Sequence, residues 1–196
     1  MGVDMDILTW EDIVSDNLTT ENYAVALYCG AETYQSTVRE ANDVNKALEK
    51  YLQGGGTLAV LPAGPMPFFY DRSEMGQNRA HEFGLNLNIA WETPPDSKLK
   101  FIQPRKLLTH IPKDFPFPAV GDRRWRPSYA SDAHKNYTPL LQLYSETNEY
   151  LGDAITYAKL KTGGTLIYCW FELLNGPYAE SILYDVFEFM TAESKR

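Results

Sequence analysis

Two predicted turns carry the residues that could do chemistry in this chain. In "YCGAET", Cys29 and Glu32 flank Gly30 directly after an apolar run, and in "VLPAGP" a second apolar run ends at Pro62 and Gly64. A cysteine thiolate can act as a nucleophile when a base lies within hydrogen-bond reach. Ligand sites of open α/β sheets lie beyond the carboxyl ends of the strands. The sequence therefore predicts a cleft formed by Cys29, Gly30, Glu32, Pro62 and Gly64.

Each of the two reactive side chains has a structural alternative. A nearby amide or helix terminus could lower the pKa of Cys29, but the sequence offers no base except a histidine from a distant loop. The alternative for Cys29, as for Cys169, is a small hydrophobe packed in an apolar stretch. Glu32 is placed either to face a ligand or to interact with the dipole of a helix beginning near Thr37. The two cysteines form neither a metal-ligand spacing nor a disulfide framework.

The elements that would position this cleft follow from hydrophobic periodicity. "YAVALYCG" and "TLAVLP" are short apolar runs typical of buried strands. Between them, "STVREANDVNKALEKYLQGGG" has apolar residues at helical spacing, a capping box at Thr37 and Glu40, and a stop at Gly54. A strand, helix, strand unit over 23–61 forms a right-handed crossover with parallel strands. We therefore expect an α/β fold with a doubly wound, mostly parallel sheet and helices on both faces.

The remainder of the chain is expected to complete the same single domain, residues 1–196. The segments "LLQLYS", "AITYAKL" and "GTLIYCWF" predict three strands joined by short turns, and "NGPYAESILYDVFEFM" predicts a closing helix. The region between about 71 and 137 is less regular, with a helix near 74–83, short strands near 87–91 and 99–102, and a long proline-rich loop.

The order of these segments resembles the class I glutamine amidotransferase-like fold, a flavodoxin-like sandwich. The resemblance rests on "YAVALYCGAETY" and on "LEKYLQGGGTLAVLPAG", which is similar to the nucleophile elbow of that family. It is strongest with the non-catalytic versions attached to bacterial glycoside hydrolases, including β-galactosidase trimerisation and ThuA-like domains. The strand and helix that normally precede "DILTWEDIVS" are missing, so we expect a domain excised from a longer protein.

The same resemblance implies that the family reaction is lost. Active members carry the nucleophilic cysteine at the elbow position, where this chain has Pro62. They also carry a histidine and a neighbouring carboxylate later in the sequence. None of His81, His110 and His134 stands in such a pair. We therefore expect no catalysis at the elbow. An enzyme that uses Cys29 or Glu32 at the same cleft remains the alternative.

Two further segments are candidates for binding. "MPFFYD" places Phe68, Phe69 and Tyr70 directly after the elbow, where they form an interface if exposed and core if covered. "GDRRWRPSY" places three arginines around a tryptophan, a composition that suits a partner or carbohydrate contact; the other interpretation is an ordered loop with surface ion pairs. Its residues are Arg123, Arg124, Trp125 and Arg126.

Composition limits the partners. A formal net charge of −8 disfavours nucleic acid and anionic membranes, which require a positive field. No apolar run approaches the ~20 residues of a membrane span, and no secretory signal is visible at the start, so the compartment stays open. We expect no metal or cofactor, and partners that are parent-protein domains or further copies of the chain. The predicted function is assembly or ligand binding within a carbohydrate-active multidomain protein, with a sugar-binding domain as a further alternative.

Overall fold

The computed structural model describes residues 4–72, 81–88, 100–112 and 127–193. Within them the helices are α1 (Trp10–Val14), α2 (Asp43–Gln53), α3 (Phe171–Leu174) and α4 (Ala179–Glu193), with a 3₁₀ turn at Glu82–Gly84. The strands are β1 (Val25–Tyr28), β2 (Thr33–Tyr34), β3 (Thr57–Val60), β4 (Tyr70–Asp71), β5 (Lys100–Ile102), β6 (His134–Tyr144), β7 (Tyr150–Leu160) and β8 (Thr165–Cys169).

The predicted strand, helix, strand unit is present, because β1 and β3 pair in parallel and α2 connects them. Six strands form one sheet in the order β1, β3, β8, β7, β6, β5, and β2 pairs with β4 separately. The three strands β1, β3 and β8 are parallel, whereas β7, β6 and β5 join them by antiparallel pairings. The α/β class is confirmed, and the sheet is mixed, with a smaller parallel part than expected.

The start of α2 differs from the prediction. The helix begins at Asp43 and not near Thr37, so the capping box expected at Thr37 and Glu40 does not form. The Asp43 carboxylate instead accepts hydrogen bonds from the backbone N–H groups of 38–40, at 2.7–3.0 Å, and holds this segment as a loop. The helix ends at Gly54, as predicted, and the left-handed conformation that follows is taken by Gly55, with φ +94°.

The three C-terminal strands and the closing helix also agree with the sequence pattern. The Tyr157 ring on β7 lies 5.1 Å from the Phe189 ring, and its hydroxyl donates to Glu193 at 3.1 Å. Helix α4 therefore covers the face of the sheet that carries Tyr157. Neighbouring residues of a strand point to opposite faces, and on the other face Thr156 lies 3.3 Å from the Ser128 hydroxyl.

In the region between 71 and 137, the expected strand near 99–102 is confirmed as β5. Leu87 forms an isolated bridge with Ser128, and most of the strand expected near 87–91 lies outside the described residues. Most of the predicted helix near 74–83 lies outside the described residues.

Candidate functional site

The carboxyl ends of β1 and β3 lie side by side and form the elbow region. Backbone hydrogen bonds run from Leu61 to the Tyr28 carbonyl at 2.8 Å and from Ala63 to the Gly30 carbonyl at 3.0 Å. The Tyr28 hydroxyl folds under the first turn and donates to the Ala31 carbonyl at 3.2 Å. A methyl group at Gly30 would lie 2.4 Å from that hydroxyl oxygen, so a larger residue here would displace the Tyr28 ring.

The five predicted cleft residues are brought into this region by the same pairing. A methyl group at Gly64 would lie 3.5 Å from the Glu32 amide nitrogen, which shows how close the two turns are. The Glu32 carbonyl accepts a hydrogen bond from the Tyr70 N–H at 3.0 Å. The turns are thus held by backbone hydrogen bonds from both sides. Glu32 directly precedes β2, and α2 begins only at Asp43, so the helix near Thr37 on which the dipole alternative for Glu32 depended does not start there.

Few side chains at the elbow could take part in a reaction. Pro62 is buried and has no nucleophilic atom, and the neighbouring Ala63 is exposed. Cys29 is exposed, which corrects the expectation that it packs as a buried hydrophobe, whereas Cys169 is buried as expected. Partial burial raises the pKa of the Cys29 thiol. A raised pKa disfavours the thiolate, and no described residue forms a hydrogen bond with this thiol that could activate it.

Two of the three histidines are engaged away from the elbow. One ring nitrogen of His134, Nε2, lies 2.7 Å from the Gly84 carbonyl oxygen, and the other, Nδ1, accepts the Ser131 N–H at 3.0 Å. The His110 ring is bound to Asp185 on α4. Both rings therefore have structural contacts, and neither is placed as a base for the elbow.

The segment after the elbow is core, which corrects its interpretation as an exposed interface. Phe68 is fully buried, and Phe69 is only 7% exposed. A positive φ of +56° at Phe68 turns its ring inward, where it lies 4.1 Å from the Tyr28 ring and 5.0 Å from the Phe83 ring. Tyr70 is half-buried and starts β4. Within this chain Phe68 and Phe69 therefore stabilise the elbow from below and present no surface to a partner.

The arginine-rich segment, Arg123, Arg124, Trp125 and Arg126, lies outside the described residues. The chain that follows it leads into a group of tyrosines. A methyl group at Gly152 would lie 2.7 Å from Pro127 Cβ. The Tyr129 and Tyr150 rings are 6.1 Å apart, and the Tyr144 and Tyr150 rings are 5.6 Å apart.

Beside these tyrosines is a buried carboxylate that the sequence analysis missed. Asp153 is 1% exposed and accepts a hydrogen bond from the Tyr137 hydroxyl at 2.7 Å. Burial raises the pKa of Asp153, and hydrogen bonds from Tyr137, Tyr150 and Gln142 oppose this rise. Its hydrogen-bond partners lie on two different strands, so no local sequence pattern indicates that Asp153 is buried and hydrogen-bonded.

A second missed carboxylate, Asp185, belongs to the one group among the described residues that has metal-ligand geometry. Side-chain atoms of His110, Asp185 and Glu188 lie within 4.8 Å of one another. The Asp185 oxygens, however, already accept the backbone N–H groups of Thr109, His110 and Ile111 at 2.8, 2.9 and 3.1 Å, and His110 Nδ1 lies 2.7 Å away. A cation would have to displace these donors. The contacts identify Asp185 as an anchor for the segment 109–111.

Two cavities lie in other parts of the described structure. One, of about 260 Å³, lies at the amino ends of β3 and β8, the end of the sheet opposite the elbow, and Tyr157, Lys159 and Glu193 contribute to its wall. The other, of about 10 Å³, lies beside Ser128, His134 and Tyr137 and has room for about one water molecule. Neither cavity involves the predicted cleft residues.

Comparison with known proteins gives the fold alone. No family model matches the chain, and no curated protein matches it. Among solved structures, it is similar to the cytoplasmic protein STM3548 from Salmonella typhimurium, with a TM-score of 0.58 and 12% identity. The match covers 96% of this chain and 81% of that one. In the described part of the chain, no helix is long and apolar enough to cross a bilayer.

Proposed function

We propose that this chain is a non-catalytic, amidotransferase-like α/β module that serves assembly or ligand binding within a larger, carbohydrate-active protein. The observation that carries the proposal is the elbow, where a parallel strand ends in a turn held by backbone hydrogen bonds and containing buried Pro62. In the enzymes that the sequence resembles, the corresponding position carries cysteine. The doubly wound arrangement and the link to glycoside hydrolases rest on the sequence resemblance. Fold resemblance does not fix function, so both need independent tests.

The described residues at the elbow include no activated nucleophile, and this supports the non-catalytic part of the proposal. Cys29 is the accessible thiol at this end of the sheet, but its pKa is raised and no described base contacts it. Glu32 lies in the same turn. The alternative function, a hydrolase or amidotransferase relative that uses one of these side chains, is favoured by one observation: Cys29 is exposed at a strand end where ligands bind in open sheets.

A turnover assay separates these two functions. The purified chain is incubated with glutamine and with chromogenic amides, esters and glycosides, beside the variants Cys29→Ser and Glu32→Gln. We expect the wild type to match both variants and the buffer blank. Hydrolysis that Cys29→Ser or Glu32→Gln abolishes, in a variant with unchanged circular dichroism, would contradict the proposal and establish the alternative.

A further inference from the structure

The larger cavity, of about 260 Å³, lies over the sheet at the amino ends of β3 and β8, and the strand pairing determines its floor. Directly opposed residues of neighbouring strands lie on the same face of a sheet. The pairings therefore place Lys159, Thr165 and Thr57 in one row across β7, β8 and β3, which we call the polar row. Tyr157 and Ile167 form the next row on the same face. The floor thus has a polar outer row and an apolar inner row.

The side-chain polar groups of this row have no hydrogen-bond partner within the described part of the chain. Thr165 is only 5% exposed, yet neither its hydroxyl nor that of Thr57 forms a hydrogen bond there. The Lys159 ammonium forms no ion pair there and lies 5.6 Å from the centre of the Tyr157 ring. Buried polar side chains are normally hydrogen-bonded, so the contents of the cavity must supply the partners. An ammonium group and two hydroxyls in one row are suitable donors for a carboxylate.

The other charged group in the wall of this cavity has the opposite sign. Glu193 of α4 accepts the Tyr157 hydroxyl at 3.1 Å and does not pair with Lys159, although both side chains border the cavity. Tyr157 lies between them, with its ring near the ammonium and its hydroxyl on the carboxylate. A carboxylate can accept about four hydrogen bonds, so Glu193 can bind an ammonium group in addition to Tyr157. The cavity therefore offers a cation to one end of a ligand and an anion to the other.

We propose that this cavity binds an α-amino acid with an apolar side chain. The polar row binds the carboxylate, Glu193 binds the ammonium group, and the buried residues Ile167 and Met190 contact the apolar side chain. A volume of about 260 Å³ corresponds to about nine water molecules at ~30 Å³ each, which suits an amino acid. A zwitterion has no net charge, so the net charge of −8 does not repel it as it would a simple anion. This inference goes beyond the proposed function, because the cavity is at the end of the sheet opposite the elbow.

The first test is an NMR titration of the ¹⁵N-labelled chain with L-leucine and L-methionine. We expect both amino acids to shift the backbone amide signals of Gly55, Gly56 and Thr165, which border the cavity. The signals of Cys29 and Gly64 at the elbow should not move. Two matched ligands test the charges: 4-methylpentanoate lacks the ammonium group of L-leucine, and 3-methylbutylamine lacks its carboxylate. Each should bind at least about tenfold more weakly than L-leucine, because each loses hydrogen bonds to a charged group.

Variants of the cavity wall separate ligand binding from folding. Thr165→Val keeps the β-branched shape and removes a hydroxyl without a partner among the described residues, so it should weaken L-leucine binding about fivefold without lowering the urea midpoint. Lys159→Met should weaken binding about tenfold or more, whereas the control Lys161→Met, an exposed lysine on the turn after β7, should not. Glu193→Gln should abolish the advantage of L-leucine over 4-methylpentanoate. Circular dichroism confirms that each variant is folded.

Each outcome supports or overturns this inference. If neither amino acid shifts the signals around the cavity, the site is refuted. Equal binding of 4-methylpentanoate or 3-methylbutylamine overturns the recognition of a zwitterion, and unchanged binding by Lys159→Met overturns the polar row as the carboxylate site. Shifts confined to the elbow would refute this location and place the ligand at the other end of the sheet. Failure of the proposed function is detected separately, as hydrolysis that depends on Cys29 or Glu32 in the turnover assay.

Discussion

Replacing Asp185 with alanine tests whether this buried carboxylate anchors the segment 109–111 to α4. Its side chain is 1% exposed and accepts three backbone N–H groups. Hydrogen bonds to a charged group contribute about 1.5–3 kcal/mol each. Thr109 and His110 are exposed, so water can replace part of their loss, whereas Ile111 is 6% exposed and its N–H stays unsatisfied. We therefore expect Asp185→Ala to lower the free energy of unfolding by about 3–5 kcal/mol.

Urea unfolding, followed by circular dichroism, measures this loss. With a slope of about 2 kcal/mol per molar urea, the midpoint should fall by about 1.5–2.5 M. The matched control is Glu188→Gln, one turn further along α4 and 45% exposed, which should change stability by less than about 0.5 kcal/mol. A midpoint for Asp185→Ala within about 0.5 M of the wild type would refute the anchor, because three backbone N–H donors that lose their acceptor in a buried site should cost more than that.

Three further substitutions probe other parts of the structure. Although partial burial acts to raise it, backbone N–H donors lower the pKa of Asp43 to about 2; the stability that the wild type has over Asp43→Asn should therefore be present above about pH 4 and disappear as the pH falls toward 2. Burial raises the pKa of Asp153, so its effect on stability has the opposite pH dependence. Relative to Asp153→Asn, the wild type should lose stability as the pH rises from about 4. Unfolding free energies from urea titrations that change equally with pH in the two proteins would contradict this. A methyl group at Gly164 would lie 2.6 Å from the Leu52 carbonyl oxygen, so Gly164→Ala should cost about 2 kcal/mol. The nearby Gly54→Ala, which has ordinary helical φ and ψ, should leave the thermal midpoint nearly unchanged.

Local sequence patterns were sufficient for the elements around the elbow. The apolar runs before Cys29 and Pro62 and the helical spacing between them predict β1, α2 and β3, because each depends on residues a few positions apart. The three C-terminal strands and α4 follow from the same kind of pattern. The predicted start of α2, near Thr37, was six residues too early. The Asp43 side chain accepts hydrogen bonds from the preceding backbone N–H groups and so holds these residues in a loop instead of a helix.

Exposure could not be derived in the same way. Phe68 and Phe69 are apolar residues in a predicted loop, a pattern that fits an interface as well as a core. The inward turn at Phe68 depends on contacts with Tyr28 and Phe83, which come from distant parts of the chain. Cys29 shows the opposite case: its apolar surroundings in the sequence predicted burial, but the end of the strand lies at the surface and the thiol is exposed.

The sequence by itself determined the α/β class, the parallel pairing of β1 and β3, and the presence of a residue without a nucleophilic side chain, Pro62, after β3, since each follows from residue type and short-range spacing. Only the tertiary structure decided the mixed character of the sheet, the burial of the aromatic residues, the edge position of β1 and the partners of Asp153 and Asp185. Asp185 bonds to backbone groups 74–76 residues away. Contacts of that kind exist only once the chain has folded, because packing between distant segments determines which groups meet and which remain exposed.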